Sequence, residues 1–224
     1  MLFRSSVLTS TEGSCPIKGR KVITLGQSID LNLARKISRL PAYPPMSWYH
    51  IGRMDPSKNL SLMIDTLAPF HTRFPDLTLH FYGSPTNMSA EEYFDELKRK
   101  YAGPHNNWIK FHGQIPHSDL DTVANSHDAF IHAFWGSLDK ALIEAIILKR
   151  VVVSANPEYL KEFMNLSINQ SELSTSLQGQ LTKMFLVSEK EMRLEVEKNF
   201  QLASQNHGLD QWISRLTTVL KGYK

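Results

Sequence analysis

A single acidic residue stands inside an apolar run in the second half of the chain. In WGSLDKALIEAIILKR, residues 135–150, Glu144 is surrounded by alanine, leucine and isoleucine. A carboxylate in apolar surroundings is costly unless a partner satisfies it. Two adjacent hydroxyls of a ribose would provide such a partner, and Lys140, four residues earlier, is the alternative. The apolar neighbours argue against a fully exposed helix and therefore against a simple surface pair with Lys140.

The loop before Glu144 contains residue types that suit an anion site. Ser137 and Asp139 are both competent N-caps for the helix that follows. If they do not cap it, the free N–H groups of residues 138–140, from Leu138 to Lys140, can face phosphate oxygens instead. The sequence therefore predicts either a capped helix or a phosphate-binding helix N-terminus.

An earlier loop carries two cations ahead of another helix. GRMDPSK, residues 52–58, places Arg53 and Lys58 on one connection after a strand-like segment. Two cations, backbone N–H groups and a helix dipole together can form a diphosphate clamp. For an isolated pair, two solvated loop charges are the simpler interpretation, so both interpretations stay open here.

Two further loops offer weaker indications. In YGSP, Gly83 followed by Ser84 would allow the backbone to approach a ligand closely, although turn formation explains the glycine equally well. In HGQIP, Ile115 could lie against a flat ring while its backbone contacts the edge of a base. Neither segment is specific by itself.

Hydrophobic periodicity predicts the elements that position these loops. Strands are predicted at residues 46–52, 77–83, 108–113, 128–134 and 151–155, and helices from residue 60 and at residues 90–102, 118–126 and 140–148. Pro69 is expected to end or kink the first helix near Ala68. This alternation predicts an α/β fold with a Rossmann-like, doubly wound parallel sheet, in which ligands bind beyond the carboxyl ends of the strands.

The two ends of the chain depart from this alternation. Residues 1–45 are predicted to be an irregular lead-in, with a loop at 11–20, a short strand and turn at 21–30, and a proline-rich connector. Residues 46–224 form the predicted domain, which becomes helical after Tyr159. The last predicted helix has a single apolar stripe that should pack against another surface. The residues of this stripe are Leu209, Trp212, Ile213, Leu216 and Leu220.

Composition excludes several classes of protein. The 224 residues, of which 42% are hydrophobic, suffice for one well-packed domain. The net charge of +3 is spread along the chain and does not favour nucleic-acid binding. One cysteine, Cys15, permits neither an internal disulfide nor a cysteine zinc cluster, and it fits a reducing cytoplasm. No segment resembles a signal peptide or a membrane span.

Three other patterns are interpreted structurally. Asp119 and Asp121 form a D-x-D string that could hold a divalent metal, but Ser118 before them favours a helix cap. His127 and His132 have no ligand partners at a recognisable spacing and are predicted to lie in the core or at an edge. A dinucleotide-dependent dehydrogenase is excluded because no G-x-G-x-x-G follows the first strand.

The ordered combination of segments resembles the C-terminal, donor-binding domain of retaining GT-B glycosyltransferases, group 1 (glycosyltransferase family 4). The resemblance runs from about Trp48 to Leu160 through GRMDPSKNLSLMIDTL, LTLHFYGSP, WIKFHGQIPHSDLDTVANSHDAFIHAF, GSLDKALIEAI and VVVSANPEYL. It implies a hexosyltransferase that uses a nucleotide-sugar donor without a metal or other cofactor. It also implies that Gly52, Arg53 and Lys58 hold the donor diphosphate and that Glu144, the last acid of an E-x7-E element, binds the ribose.

The chain departs from the family pattern in two respects. Gly136 stands where the first acid of E-x7-E is expected, and the Gly-Ser and Asp-Lys of this loop resemble a subgroup in which Ser137, Asp139 or Lys140 contacts the sugar or phosphates. The acceptor-binding N-terminal domain is not recognisable, and residues 1–45 resemble its last piece. The resemblance therefore implies a fragment or one half of a split enzyme, with the N-terminal half as partner and membrane contact only through the acceptor. The alternative is a non-catalytic nucleotide-binding or assembly subunit.

Overall fold

The computed structural model describes residues 6–17, 19 and 21–221. Residues 1–5, 18 and 20 of the predicted lead-in, and residues 222–224 of the predicted domain, lie outside this range. The strands are β1 (Val7–Thr9), β2 (Val22–Thr24), β3 (Ser47–Ile51), β4 (Thr78–Tyr82), β5 (Ile109–Phe111), β6 (Ala129–His132) and β7 (Val151–Ser154). The α-helices are α1 (Leu60–Arg73), α2 (Met88–Lys100), α3 (Leu120–Ser126), α4 (Lys140–Ile147), α5 (Pro157–Met164), α6 (Leu173–Leu186), α7 (Glu189–His207) and α8 (Leu209–Lys221).

The central sheet has five parallel strands in the order β5-β4-β3-β6-β7. From β3 the chain adds β4 and β5 on one side, then returns to add β6 and β7 on the other. Trp48, the second residue of β3, pairs with Leu79 of β4 and Ala129 of β6. The order thus reverses between β3 and β6, which is where open α/β sheets bind ligands. The predicted doubly wound sheet is confirmed.

Alternating strand residues feed two hydrophobic cores, one on each face of the sheet. Trp48 and Ile131 join the core that packs against α1 and α6. Their neighbours Tyr49 and Phe130 point to the other face, where α4 and α5 cover them. Burial on both faces explains the nearly continuous apolar runs of β6 and β7, whereas β4 alternates buried and half-buried residues.

The predicted boundaries agree closely with the structure except in the first helix. Each central strand lies within its predicted segment. Of the two outcomes predicted for Pro69, an end or a kink near Ala68, the end is wrong, because α1 continues through Pro69 to Arg73. Proline removes the bond to the carbonyl four residues earlier. Here both Pro69 and Asp65 are exposed, so the freed carbonyl lies on the solvent side of the helix.

The lead-in is more ordered than predicted. The strand predicted at residues 21–30 is present as β2, and it pairs in parallel with β1, which the sequence did not predict. The connector that follows is fixed to the sheet by buried Asp128. This carboxylate accepts hydrogen bonds from Arg39 Nη1 at 2.7 Å and from the N–H groups of Ala42 and Ser47 at 2.9 and 3.1 Å.

The last helix lies on the surface of the domain. None of the α8 residues is buried, and Leu209, Ile213 and Leu220 are exposed. Trp212 and Leu216 of the same stripe are half-buried, so the expected packing of this stripe is only partly realised among the described residues. Within the described range, no helix is long and apolar enough to cross a membrane.

Candidate functional site

The loops after β3 and β6 meet at the reversal point of the sheet through an ion pair and through a hydrogen bond of 2.8 Å from Asn59 Nδ2 to the Ala133 carbonyl. Lys58 ends a short 3-10 turn, Pro56–Lys58, and its ammonium donates to Asp139 of the β6 loop. Only 6% of the Lys58 side chain is exposed, and its Nζ lies 4.1 Å from the centroid of the Phe134 ring. Lys58 is therefore a buried, paired cation, and the interpretation as a solvated loop charge is wrong for this residue.

Asp139 occupies the N-cap position of α4 without capping it. Its backbone is extended, as a cap requires, but among the described residues its side chain bonds to no N–H of the helix. The carboxylate instead faces Lys58 and His132 Nε2, the latter at 3.3 Å. Burial alone would raise the pKa of Asp139, but the contact with His132 and the charge of Lys58 outweigh it and hold the pKa well below its usual range.

His132 is fixed by a chain of hydrogen bonds that orients Asp139. The Asn156 N–H donates to Ser154 Oγ at 3.1 Å, and Ser154 Oγ lies 3.0 Å from His132 Nδ1. With Ser154 donating to Nδ1, the proton of the neutral imidazole lies on Nε2 and points to Asp139. Burial is the main reason that the His132 pKa is lowered, so the ring is neutral near pH 7.

Glu144 reaches from α4 towards the loop after β5. Its side chain is 6% exposed, and its Oε1 lies 2.8 Å from His117 Nε2 and 3.8 Å from Lys140 Nζ. Lys140 is therefore near, as the alternative interpretation expected, but the closest partner is His117, which the sequence did not indicate. Within the described part of the chain, Oε2 of Glu144 makes no hydrogen bond, so half of this buried carboxylate is left for another partner.

A cavity of about 200 Å³ lies between the loops that follow β3, β4 and β5. Five of the predicted residues share its wall, together with Tyr82 and Gln114, which were not predicted. These five are Gly52, Arg53, Gly83, Ser84 and Ile115. The Arg53 side chain is 59% exposed, and among the described residues its charged partner is Asp55 at 3.4 Å, so it is free to turn towards a ligand. The two predicted cations therefore have different neighbours: Arg53 lines this cavity, whereas Lys58 faces Asp139.

Close packing leaves no room for a Cβ at the two glycines of this cavity. Gly83 has φ of +146°, and a Cβ there would lie 1.8 Å from the Gly52 carbonyl oxygen. A Cβ at Gly52 would lie 2.9 Å from Nε2 of the fully buried His50. His50 donates from Nδ1 to the Ile131 carbonyl at 3.0 Å, and its Nε2 has no partner among the described residues. Burial is the main reason that its pKa is lowered to about 3.

The loop at residues 134–138 is held by two side chains that the sequence did not reveal. Asn156 Nδ2 lies 3.1 to 3.2 Å from the carbonyl oxygens of Phe134, Gly136 and Ser137. The Leu138 N–H donates to Glu158. The expectation of a free N–H at Leu138 is therefore wrong, because a carboxylate of this chain already occupies it. Of the two competent caps, Ser137 and Asp139, it is Asp139 that stands at the cap position.

The other predicted patterns have structural roles. Ser118 lies inside a 3-10 turn, His117–Asp119, and Asp119 precedes α3, so the expected Ser118 cap is wrong. Asp121 pairs with Lys36 at 3.2 Å. His127 and His132 are buried, as predicted. Among the described residues, no group of three or more His, Cys, Asp or Glu side chains could hold a metal ion.

Comparison with solved structures gives the same fold. A glycosyltransferase from Rickettsia africae superposes with a TM-score of 0.77 at 13% identity over 98% of this chain and 63% of that one. Anabaena Alr3699/HepE, solved with UDP and glucose, gives 0.76 at 18% identity, over 97% and 63%. A pneumococcal O-GlcNAc transferase, GtfA, solved with UDP and GlcNAc, gives 0.65 at 16% identity, over 90% and 40%. The chain thus spans less than two thirds of each of these proteins.

Comparison with sequence families identifies the chain. No curated protein matches it. A family model described as glycosyl transferases group 1 matches residues 47–173, which include every predicted site residue. The predicted resemblance to group 1 glycosyltransferases is therefore confirmed. The chain belongs to the glycosyl transferases group 1 family.

Proposed function

We propose that this chain binds the nucleotide-sugar donor of a glycosyltransferase that moves a hexose to an acceptor hydroxyl with retention at the anomeric carbon. Its setting is polysaccharide or glycoconjugate synthesis in the cytoplasm. The observation that carries this proposal is the placement of Glu144. Its buried carboxylate keeps one oxygen without a hydrogen bond among the described residues, and its partner His117 follows Gln114 and Ile115, which line the cavity together with Arg53.

Ribose recognition follows from the chemistry of this carboxylate. Two adjacent hydroxyls can each donate to one carboxylate oxygen, and such charge-assisted bonds are stronger than bonds between neutral groups. Oε2 of Glu144 is available, and Oε1 becomes so if His117 moves. His117 can move at small cost because 68% of its side chain is exposed. The base then lies in the neighbouring cavity, against Ile115 and Gln114.

The donor diphosphate is assigned to Arg53, Lys58 and the N-terminus of α4. Departure of a nucleoside diphosphate develops negative charge, which fixed cations and helix N–H groups stabilise without a metal. Glu158 already accepts the hydrogen bond of the Leu138 N–H. The N–H groups that α4 offers to the diphosphate are therefore those of the residues after Asp139. Loss of one such charged contact is expected to slow transfer about 100-fold.

Transfer is assigned to this chain together with an acceptor-binding half, either a separate chain or a further segment. No general base is evident among the described site residues. By itself the chain is expected to bind donor nucleotide with little or no turnover. The proposal for its organisation remains residues 1–45 as connector and residues 46–224 as donor-binding domain.

A non-catalytic nucleotide-binding or assembly subunit is the second candidate, and Gly136 favours it. A Cβ at this position would lie 2.3 Å from Phe134 Cζ, so the ring fills the space of the expected acid. Mixing the chain with a separately produced acceptor-binding half and measuring donor turnover distinguishes the candidates. Turnover supports the enzyme, and nucleotide binding without turnover supports the subunit.

Calorimetric titration with UDP, GDP and ADP tests donor binding. We expect one of the three to bind the parent chain and Glu144→Ala to weaken it about 10- to 100-fold, the effect of losing hydrogen bonds to a charged group. Glu197→Ala is the matched control, because Glu197 pairs with Lys149 at 2.7 Å on an exposed part of α7. No heat with any of the three nucleotides, or a Glu144→Ala affinity equal to that of the parent, would contradict the proposal.

A further inference from the structure

Asp139 has the position of a helix cap but the contacts of a counter-ion. Its carboxylate turns away from the N-terminus of α4 and receives the ammonium of Lys58 from the loop after β3. A side chain that caps a helix at this position stabilises it, and α4 lacks that stabilisation from Asp139. The contact with Lys58 is therefore the feature of this loop that needs an explanation.

Lys58 is held in a site that would not retain an unpaired ammonium. Its side chain is 6% exposed, and the face of the Phe134 ring lies 4.1 Å from Nζ. A desolvated charge is strongly unfavourable without a counter-ion, so removal of Asp139 would drive the ammonium towards solvent. Asp139 thus determines where the end of the Lys58 side chain lies.

The pair nevertheless leaves Lys58 able to bind an anion. An ammonium has three donors, and among the described residues Lys58 Nζ donates only to Asp139. Two N–H groups remain for phosphate oxygens. His132 also faces the Asp139 carboxylate, at 3.3 Å, and this neutral donor draws part of its charge away from Lys58.

Asp139 is itself held rigidly. His132 is fully buried, and the Asn156 N–H, Ser154 and His132 form one hydrogen-bonded chain that ends at Asp139. These groups lie at the ends of β6 and β7, so the position of the carboxylate is set by the sheet. A side chain fixed in this way is suited to pre-organise a flexible lysine.

We propose that Asp139 is a positioning residue that holds Lys58 in place for the donor's diphosphate, with His132 and Ser154 fixing Asp139. This inference rests on the proposed donor-binding function. Asp139 acts through Lys58 and contributes no bond of its own to the nucleotide.

Paired titrations of the full 224-residue chain with UDP and UMP test this role. Asp139→Asn is expected to weaken UDP binding about tenfold and UMP binding less than about twofold, because the lysine serves the second phosphate. Lys58→Ala should show the same pattern, and Asp139→Asn should add nothing to it. Asp139→Glu should restore part of the UDP affinity. Asp121→Asn, which alters a Lys–Asp pair on the surface, is the matched control and should leave both affinities unchanged.

Several outcomes would overturn the inference and leave the proposed function standing. One is an equal loss for UDP and UMP, which indicates a general structural role. Another is additivity of the two substitutions. A third is tighter UDP binding by Asp139→Asn, which would make Asp139 a competitor of the diphosphate. If the parent binds GDP or ADP and not UDP, that diphosphate and its monophosphate take the place of UDP and UMP. If the parent gives no measurable heat with UDP, GDP or ADP, both the proposed function and this inference fail. Thermal melts by circular dichroism separate loss of binding from loss of folding.

Discussion

Gly136→Ala should destabilise the chain through a single neighbour, Phe134. A Cβ at Gly136 would lie 2.3 Å from Phe134 Cζ and 2.6 Å from Cε1, so the ring must move. Overpacking of this kind costs about 1–3 kcal/mol. Moving the ring also weakens its contact with the Lys58 ammonium, at 4.1 Å, which is worth about 0.5–2 kcal/mol. Replacing a glycine by alanine also restricts the unfolded chain, which raises the free energy of unfolding by about 0.4–1 kcal/mol and offsets part of this cost.

The expected net loss is therefore about 1–4 kcal/mol in the free energy of unfolding. The assay is urea denaturation of the parent, Gly136→Ala, Phe134→Ala and the double variant. In the Phe134→Ala background both the clash and the ring contact are absent, so Gly136→Ala should be neutral or slightly stabilising, which gives a coupling energy of about 2 kcal/mol or more. A Gly136→Ala variant as stable as the parent, or strictly additive effects, would refute the argument that Phe134 occupies the space of the expected acid.

Two further predictions concern groups buried around the site. Burial is the main reason that the pKa values of His50 and His127 are lowered from 6.5 to about 3, so the unfolded chain takes up protons below pH 6.5 while the folded chain does not. The free energy of unfolding should keep its full value above pH 6.5. It should fall as the pH is lowered from 6.5 to 3, by at most about 1.4 kcal/mol for each histidine and each pH unit. Urea midpoints at several pH values measure this fall, and a His127→Asn variant whose unfolding free energy keeps the full dependence on pH would contradict it. Gly83→Ala should lower the free energy of unfolding by about 2 kcal/mol or more, because φ is +146° and the new Cβ meets the Gly52 carbonyl. An unchanged urea midpoint would contradict the packing argument.

The structure shows which groups surround Glu144, the acidic residue inside the apolar run of residues 135–150. Glu144 is as buried as its neighbours predicted, but its nearest partner is His117, from a loop 27 residues earlier. Lys140, the partner expected from helical spacing, lies further away, at 3.8 Å. The helix period identifies neighbours on one helix only, so a contact between the ends of different strands was beyond its reach.

The loop after β6 is a second place where local sequence patterns did not identify a contact between distant segments. Sequence reasoning treated Ser137 and Asp139 as caps or phosphate contacts, and it did not consider Asp139 as the counter-ion of Lys58. The two residues are 81 positions apart and meet because β3 and β6 are adjacent. Glu158 likewise takes the Leu138 N–H from the first turn of α5. Local propensity assigns a capping role to any suitable side chain, but a buried ammonium binds a carboxylate more strongly than a helix end does.

The amino-acid sequence by itself determined the order of strands and helices, the parallel doubly wound sheet, and the loops that carry the candidate site. The spacing of apolar residues is a local property of the chain, and it predicts which segments form strands and helices that are buried against one another on both faces of the sheet. Only the tertiary structure decided which charged side chains face each other: Lys58 with Asp139, Glu144 with His117, and Arg53 left at the open cavity. Side-chain electrostatics depends on distances between segments far apart in the chain, and those distances exist only once the strands have taken their order.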